Sequence, residues 1–198
     1  MLAFDRARRG DRRARIFRED SMLELWLMRH AHSEAGREVN DRERPLSVRG
    51  EASAARMGAH FCERGFSPAR ILCSSAARAR DTCAGMGPGF SDHPHVDFEP
   101  NLYLASPETL LQEIERVDRA VRSLLLVGHL PGLEDLALAL AGQGPAQLAA
   151  QSGLAAGFEP AAVACFESDA ESFAAIRSHP ARLVGFASPT RLAAEDIR

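Results

Sequence analysis

Leu25-Trp26-Leu27-Met28-Arg29-His30-Ala31-His32-Ser33-Glu34 is the stretch on which the reading of this chain turns. Four apolar residues in a row, with no polar alternation, are too few for an ordinary helix. They read as a strand buried on both faces. The run breaks straight into Arg29-His30. Open α/β sheets hold their ligands beyond the carboxyl ends of their strands. A guanidinium and an imidazole delivered together at such an edge suit a phosphoryl group, the first as a fork for its oxygens and the second as base or nucleophile.

Working outward, other short apolar runs follow. Ile71-Leu72-Cys73 leads into Ser74-Ser75, Val96-Asp97-Phe98 forms a third strand, and Ser123-Leu124-Leu125-Leu126-Val127 ends in Gly128-His129. Ala162 to Phe166 and Leu183 to Phe186 read as two late strands. Helical patterns lie between them. Ser47 is placed to cap a helix with Gly50-Glu51 in its first turn, a small packing face of Ala54, Ala55, Met57, Gly58 and Phe61, and an end near Gly65. A second runs from about Ala77 to the Gly-Pro cluster of 85–89. Ser106-Pro107-Glu108 opens a third, with Leu110, Leu111, Ile114 and Val117 on its buried side. Pro131-Gly132 turns into a fourth carrying Leu133, Leu136, Ala137 and Leu140, closed by Gly142 and Gly144. Residues 35–45 read as a polar loop and 142–160 as a loop with some helix. Strands alternating with helices predict an α/β three-layer sandwich, a mostly parallel sheet with helices on both faces.

Composition narrows the classes. The chain has 198 residues, 45% of them hydrophobic, enough for one sizeable core. Its 24 basic and 27 acidic residues leave a net charge of -3, which argues against a general nucleic-acid binder. No apolar run approaches the roughly 20 residues of a membrane helix. Cys62, Cys73, Cys83 and Cys165 form no CxxC pair, and a reduced, cytoplasmic setting is the simplest expectation. Residues 1–21 stand apart from the single domain expected over 22–198. Seven arginines crowd them between Arg6 and Arg18, read as a solvated tail, as sequence before a true start at Met22, or as a polyanion-binding arm diluted by Asp5, Asp11, Glu19 and Asp20.

Taken singly, an arginine at a strand end is most often a surface ion pair, and Gly-His after a strand is most often a turn. Three strand ends presenting Arg29-His30, Ser74-Ser75 with Arg78, and His129 are a different matter. Parallel strands bring their carboxyl ends to one edge, and two arginines with two histidines there make a cationic pocket for an anion. Ser33 could donate its hydroxyl to the same group.

Four segments resemble the histidine phosphatase (phosphoglycerate mutase-like) superfamily. Arg29-His30-Ala31-His32-Ser33 is similar to its Arg-His-Gly signature, with Ala for Gly. Arg44-Pro45-Leu46-Ser47-Val48-Arg49-Gly50 is similar to a second family segment. Ser74-Ser75-Ala76-Ala77-Arg78-Ala79-Arg80-Asp81-Thr82 matches a third, with Ser75 for the usual Pro. Leu126-Val127-Gly128-His129-Leu130-Pro131-Gly132-Leu133-Glu134 matches a fourth, with Leu130 for Asn. As a set they resemble the short SixA-type phosphohistidine phosphatases over about residues 23–190.

The resemblance implies roles. His30 is the expected nucleophile, forming a transient phosphohistidine. Arg29, Arg78 and His129 hold the phosphoryl oxygens, with Ser33 a further contact. No metal and no cofactor is called for. The physics agrees, since phosphoryl transfer asks mainly for positioning and charge neutralisation. A nucleophilic imidazole must be neutral, and two guanidiniums should push its pKa below the usual ~6.5. Larger relatives acting on phosphate esters carry an acid for the leaving oxygen. Glu99, Glu108 and Glu134 are only nearby candidates here, and a weak or absent acid favours a phosphoramidate such as protein phosphohistidine. A monomer acting on a phosphorylated partner is expected, with small phosphate monoesters or silent binding of a phosphorylated partner as alternatives. A cysteine phosphatase fails on spacing, because Cys73 has four residues before Arg78 and six before Arg80. The HxH pairs His30/His32 and His93/His95 leave metal hydrolysis as a rival that a chelator would test.

Overall fold

The computed structural model describes residues 22–36, 40–90, 92–141 and 157–195. In chain order its elements are β1 (Leu23–Arg29), α1 (Val48–Arg64), β2 (Arg70–Ser74), α2 (Ala77–Met86), β3 (His95–Glu99), α3 (Pro107–Glu115), β4 (Ser123–Gly128), α4 (Gly132–Ala141), β5 (Val163–Ser168), β6 (Ala181–Ala187) and α5 (Pro189–Glu195). The strands form one six-stranded sheet in the order β3-β2-β4-β1-β5-β6. The first four run parallel, and β5 runs against both β1 and β6. This is the α/β sandwich with a mostly parallel sheet expected from the alternation of patterns.

The opening apolar run became a strand because both of its faces find a core. Leu23, Leu25 and Leu27 point into one cluster with Leu110 and Ile114 of α3 and Leu133, Leu136 and Ala137 of α4. Met28 points the other way, into a cluster with Ala54, Met57 and Phe61 of α1 and Cys83 and Met86 of α2. Successive strand residues alternate faces, so one strand feeds both layers. Each fully buried side chain of this size contributes roughly 1.5–3 kcal/mol.

Local signals behave as their chemistry requires. The Ser47 side chain accepts from the Gly50 amide at the start of α1, and Gly65 closes that helix in the left-handed region at φ 65°. Ser106 caps α3 by accepting from the Thr109 amide. Four expectations need correction. Ala55 is exposed rather than part of the packing face of α1. Val117 lies beyond the end of α3. The polar loop holds a short 3-10 turn, Asp41–Glu43. The sheet is followed by α5, announced by the Ser188-Pro189 pair in the way Ser106-Pro107 announces α3.

The Arg-rich segment 1–21, the glycines Gly142 and Gly144, and residues 142–156 of the expected loop lie outside the described residues. Among the described residues no helix is long and apolar enough to cross a membrane. All four cysteines are free. Cys73, Cys83 and Cys165 are buried and Cys62 is exposed.

Candidate active site

β2, β4 and β1 are neighbours at the centre of the sheet and run parallel, so their carboxyl ends share one edge. Register aligns them closely, with Arg29 opposite Gly128 and Cys73 opposite Val127. Arg29 closes β1, His30 follows it, Ser74 closes β2, Arg78 stands in the first turn of α2, and His129 follows β4. All five sequence-predicted residues, Ser33 included, meet at this edge. A pocket of about 250 Å³ opens there, lined by Arg29, His30, His32, Ser33, Arg44, Arg78 and Pro160. A larger groove of about 410 Å³ between α1 and α5 contains none of the strand-end residues.

Hydrogen bonds fix the protonation of His30. Its Nδ1 lies 2.7 Å from the Ala31 carbonyl, which can only accept, so Nδ1 carries the hydrogen. Arg78 donates from Nε to His30 Nε2 at 3.2 Å, so Nε2 presents its lone pair. Burial pushes the imidazole pKa down to about 4, with the Arg78 and Arg29 charges acting in the same direction against the Ala31 bond. His30 is therefore neutral at pH 7, with Nε2 as its unprotonated, nucleophilic atom.

His129 is arranged in the same sense. Arg78 Nη2 donates to its Nδ1 at 3.4 Å, which leaves Nε2–H to donate to Ser74 Oγ at 2.7 Å. Burial, then His30 and Arg78, push its pKa down to about 3. The two rings are 4.9 Å apart between centroids. One guanidinium thus bridges two neutral imidazoles.

The remaining cations are braced but not saturated. Arg29 donates from Nη1 to the Phe158 carbonyl at 2.9 Å. Arg44 donates from Nη2 to Ser33 Oγ at 2.5 Å and from Nη1 to Asp41 Oδ1 at 2.9 Å. The Nε atoms of Arg29 and Arg44 are buried and have no acceptor among the described residues. Because Arg44 donates to Ser33 Oγ, the Ser33 hydroxyl hydrogen is left to donate elsewhere. Thr82 ties the floor together: its hydroxyl donates to the Arg78 carbonyl at 2.6 Å and accepts from the Ala31 amide at 3.0 Å.

His32 lines the pocket too, but its Nδ1 pairs with Ser47 Oγ at 3.0 Å, and its carbonyl accepts from the Ser47 amide. Of the acids considered from sequence, none lines the pocket. Glu108 is bound to Arg177 at 2.8 Å, and Glu134 acts on Arg29 through its charge. Cys73 donates to the Ser74 carbonyl, and the adjacent Cys83 together with burial push its thiol far up, which removes it as a thiolate nucleophile. Sequence reasoning missed Arg44 as a site residue, and also Asp41 and Tyr103. Arg44 lay within a quoted motif, and its charge beside the Pro45-Leu46-Ser47 cap was the available signal.

This constellation can grip a tetrahedral anion with guanidinium forks while holding a nucleophilic nitrogen against it. A family model of the histidine phosphatase superfamily (branch 1) matches residues 25–103. An uncharacterized protein of Mycobacterium tuberculosis is 36% identical over 164 residues, covering 82% of this chain and 99% of that relative. Two solved structures, each titled a "putative phosphohistidine phosphatase SixA", share the fold. The one from Nakamurella multipartitia has a TM-score of 0.73 at 27% identity, covering 85% of this chain and 96% of its own. The one from Agrobacterium tumefaciens has a TM-score of 0.71 at 28% identity, covering 84% and 98%. The chain belongs to the histidine phosphatase superfamily and is a phosphatase of its SixA type.

Proposed function

We propose that this phosphatase removes phosphoryl groups from histidine side chains of partner proteins, through a covalent intermediate on His30 and without a metal. One observation carries the reading. A neutral imidazole offers its Nε2 lone pair in a pocket whose lining holds three arginines and no carboxylate among the described residues.

The steps follow from that geometry. His30 Nε2 attacks phosphorus, and the bond from phosphorus to the substrate nitrogen breaks. Arg29, Arg44 and Arg78 neutralise the charge on the phosphoryl oxygens, Ser33 donates its hydroxyl, and His129, outside the pocket lining, accepts from Arg78. Water then attacks phosphorus, the bond to His30 breaks, and inorganic phosphate leaves. An alkoxide would need an acid, since even water has a pKa of about 15.7. An imidazole already protonated on its other nitrogen leaves neutral and needs none. The unpaired cysteines fit a reducing, cytoplasmic setting.

Turnover of a phosphohistidine peptide, compared with a panel of alkyl phosphate monoesters, tests the substrate class. The peptide should be strongly preferred, and a chelator should change nothing. Equal or faster hydrolysis of alkyl esters would overturn the substrate assignment, and phosphate binding without any turnover would make the chain a silent binder. Base-stable, acid-sensitive labelling from a phosphorylated substrate should vanish in His30→Ala; labelling that persists would sink the nucleophile. Arg78→Ala should lower turnover by about 10²-fold or more, as expected for a preorganised charge.

A further inference from the structure

Asp41 and Tyr103 belong to none of the strand ends that form the site, yet both are built against it. Asp41 begins the turn Asp41–Glu43, whose start is set by the Asn40 side chain accepting from the Arg42 amide at 3.0 Å. Four side-chain donors converge on Asp41. Its carbonyl accepts from Arg78 Nη1 at 2.6 Å. Its Oδ2 accepts from Arg78 Nη2 at 3.0 Å and from the Tyr103 hydroxyl at 2.5 Å. Its Oδ1 accepts from Arg44 Nη1 at 2.9 Å.

Both arginines line the pocket and Asp41 does not. The carboxylate therefore reaches the phosphoryl site only through the guanidiniums it holds. Tyr103 is itself fixed: its ring meets His129 edge-on at 5.4 Å, and the Arg42 guanidinium lies 4.2 Å above the ring. The Tyr103 bond, then the Arg78 charge, hold the Asp41 carboxyl below its ordinary range, so it stays an anion and has no proton to give.

Building on the phosphatase reading, we infer that Asp41, anchored by Tyr103, is a positioning residue that braces Arg78 and Arg44 from behind and so sets the strength of the phosphate grip. Two long arginine side chains would otherwise surrender rotamer freedom when they close on an anion. Bracing them beforehand moves that cost into folding. The same carboxylate trims the charge. Arg29, Arg44 and Arg78 supply three positive charges and Asp41 one negative, leaving two for a phosphoryl dianion. An internal anion that only competed with phosphate for the same guanidiniums would predict the opposite sign.

Calorimetric titration of inorganic phosphate onto the full chain separates them without needing turnover. Asp41→Ala should weaken phosphate binding by about tenfold, the scale of the ordering cost returned to the two arginine side chains. Asp41→Asn, which keeps an acceptor without the charge, and Tyr103→Phe should give smaller losses of the same sign, while Asp41→Glu should recover part of the affinity. In turnover, KM should rise more than kcat falls, a split that simple loss of stability does not produce. Phosphate binding that is unchanged or tighter in Asp41→Asn and Tyr103→Phe would overturn the brace, and these two variants carry the test if Asp41→Ala does not fold. Wild-type chain that binds phosphate but turns over nothing would refute the phosphatase reading while leaving the brace measurable. Wild-type chain that binds no phosphate would overturn both.

Discussion

Arg78 commits its donors to four acceptors: His30 Nε2, His129 Nδ1, and the carbonyl and carboxylate of Asp41. One of its five N–H donors, on Nη1, has no acceptor among the described residues, and a substrate that also takes the Nε donor frees the nitrogen that attacks. The two imidazoles give the clearest pH signature. Both have folded pKa values pushed down, to about 4 and about 3, from the ordinary 6.5. Between pH 6.5 and those values the unfolded chain binds protons that the folded chain refuses, so stability falls as pH drops through that window. At pH 5 the cost should be about 2 kcal/mol for each histidine, read as a shift in denaturation midpoint from pH 7. Imidazole resonances of His30 and His129 should stay flat from pH 8 to pH 5 in NMR titrations. Titration of either near 6.5 would contradict the buried, neutral pair.

Two glycines hold elements at the distance the site needs. A Cβ on Gly50, in the first turn of α1, would stand 2.0 Å from the His32 carbonyl oxygen. One on Gly132, at the start of α4, would stand 1.9 Å from the Ala105 carbonyl oxygen. In both cases the obstacle is backbone, which cannot swing aside. Gly50→Ala and Gly132→Ala should each cost about 1–3 kcal/mol in chemical denaturation, as overpacking does, and should lower activity because each helix start adjoins a site loop. Full activity and native stability in both would show that these starts can shift freely. At this scale the sequence was most readable where one residue type does one local job. Ser47, Ser106 and Gly65 announce helix ends because capping and the left-handed turn have few chemical solutions. The direction of β5 was not readable. Its run is buried on both faces, and such a run looks alike whichever way the strand points. Arg29, His30, Arg78 and His129 were legible because each stands at a strand end or within a few residues after one. Asp41 and Tyr103 were not, since they come from a turn and a loop that meet only once the sheet has formed.

At the scale of the molecule, the site is a product of sheet order. β2, β4 and β1 are contiguous, so the segment from Arg29 to Ser33, Arg78 at the start of α2 and His129 after β4 come together although they lie far apart in sequence. The same packing sorts the thiols. Cys73 and Cys83 lie in one core cluster, and Cys165 is buried on β5, its thiol raised by burial. Cys62 stands exposed near the far end of α1. A maleimide should thus take one equivalent from the folded protein and four after unfolding, a count that mass spectrometry reads directly; more than one on native protein would mean the core opens readily. Counting α1 from its capped start, Cys62 sits some fourteen helical rises, roughly 20 Å, from the end that carries Ser47 and the pocket rim. The chain carries its own attachment point for a fluorophore, distant enough to report a partner's arrival while leaving the phosphoryl pocket untouched.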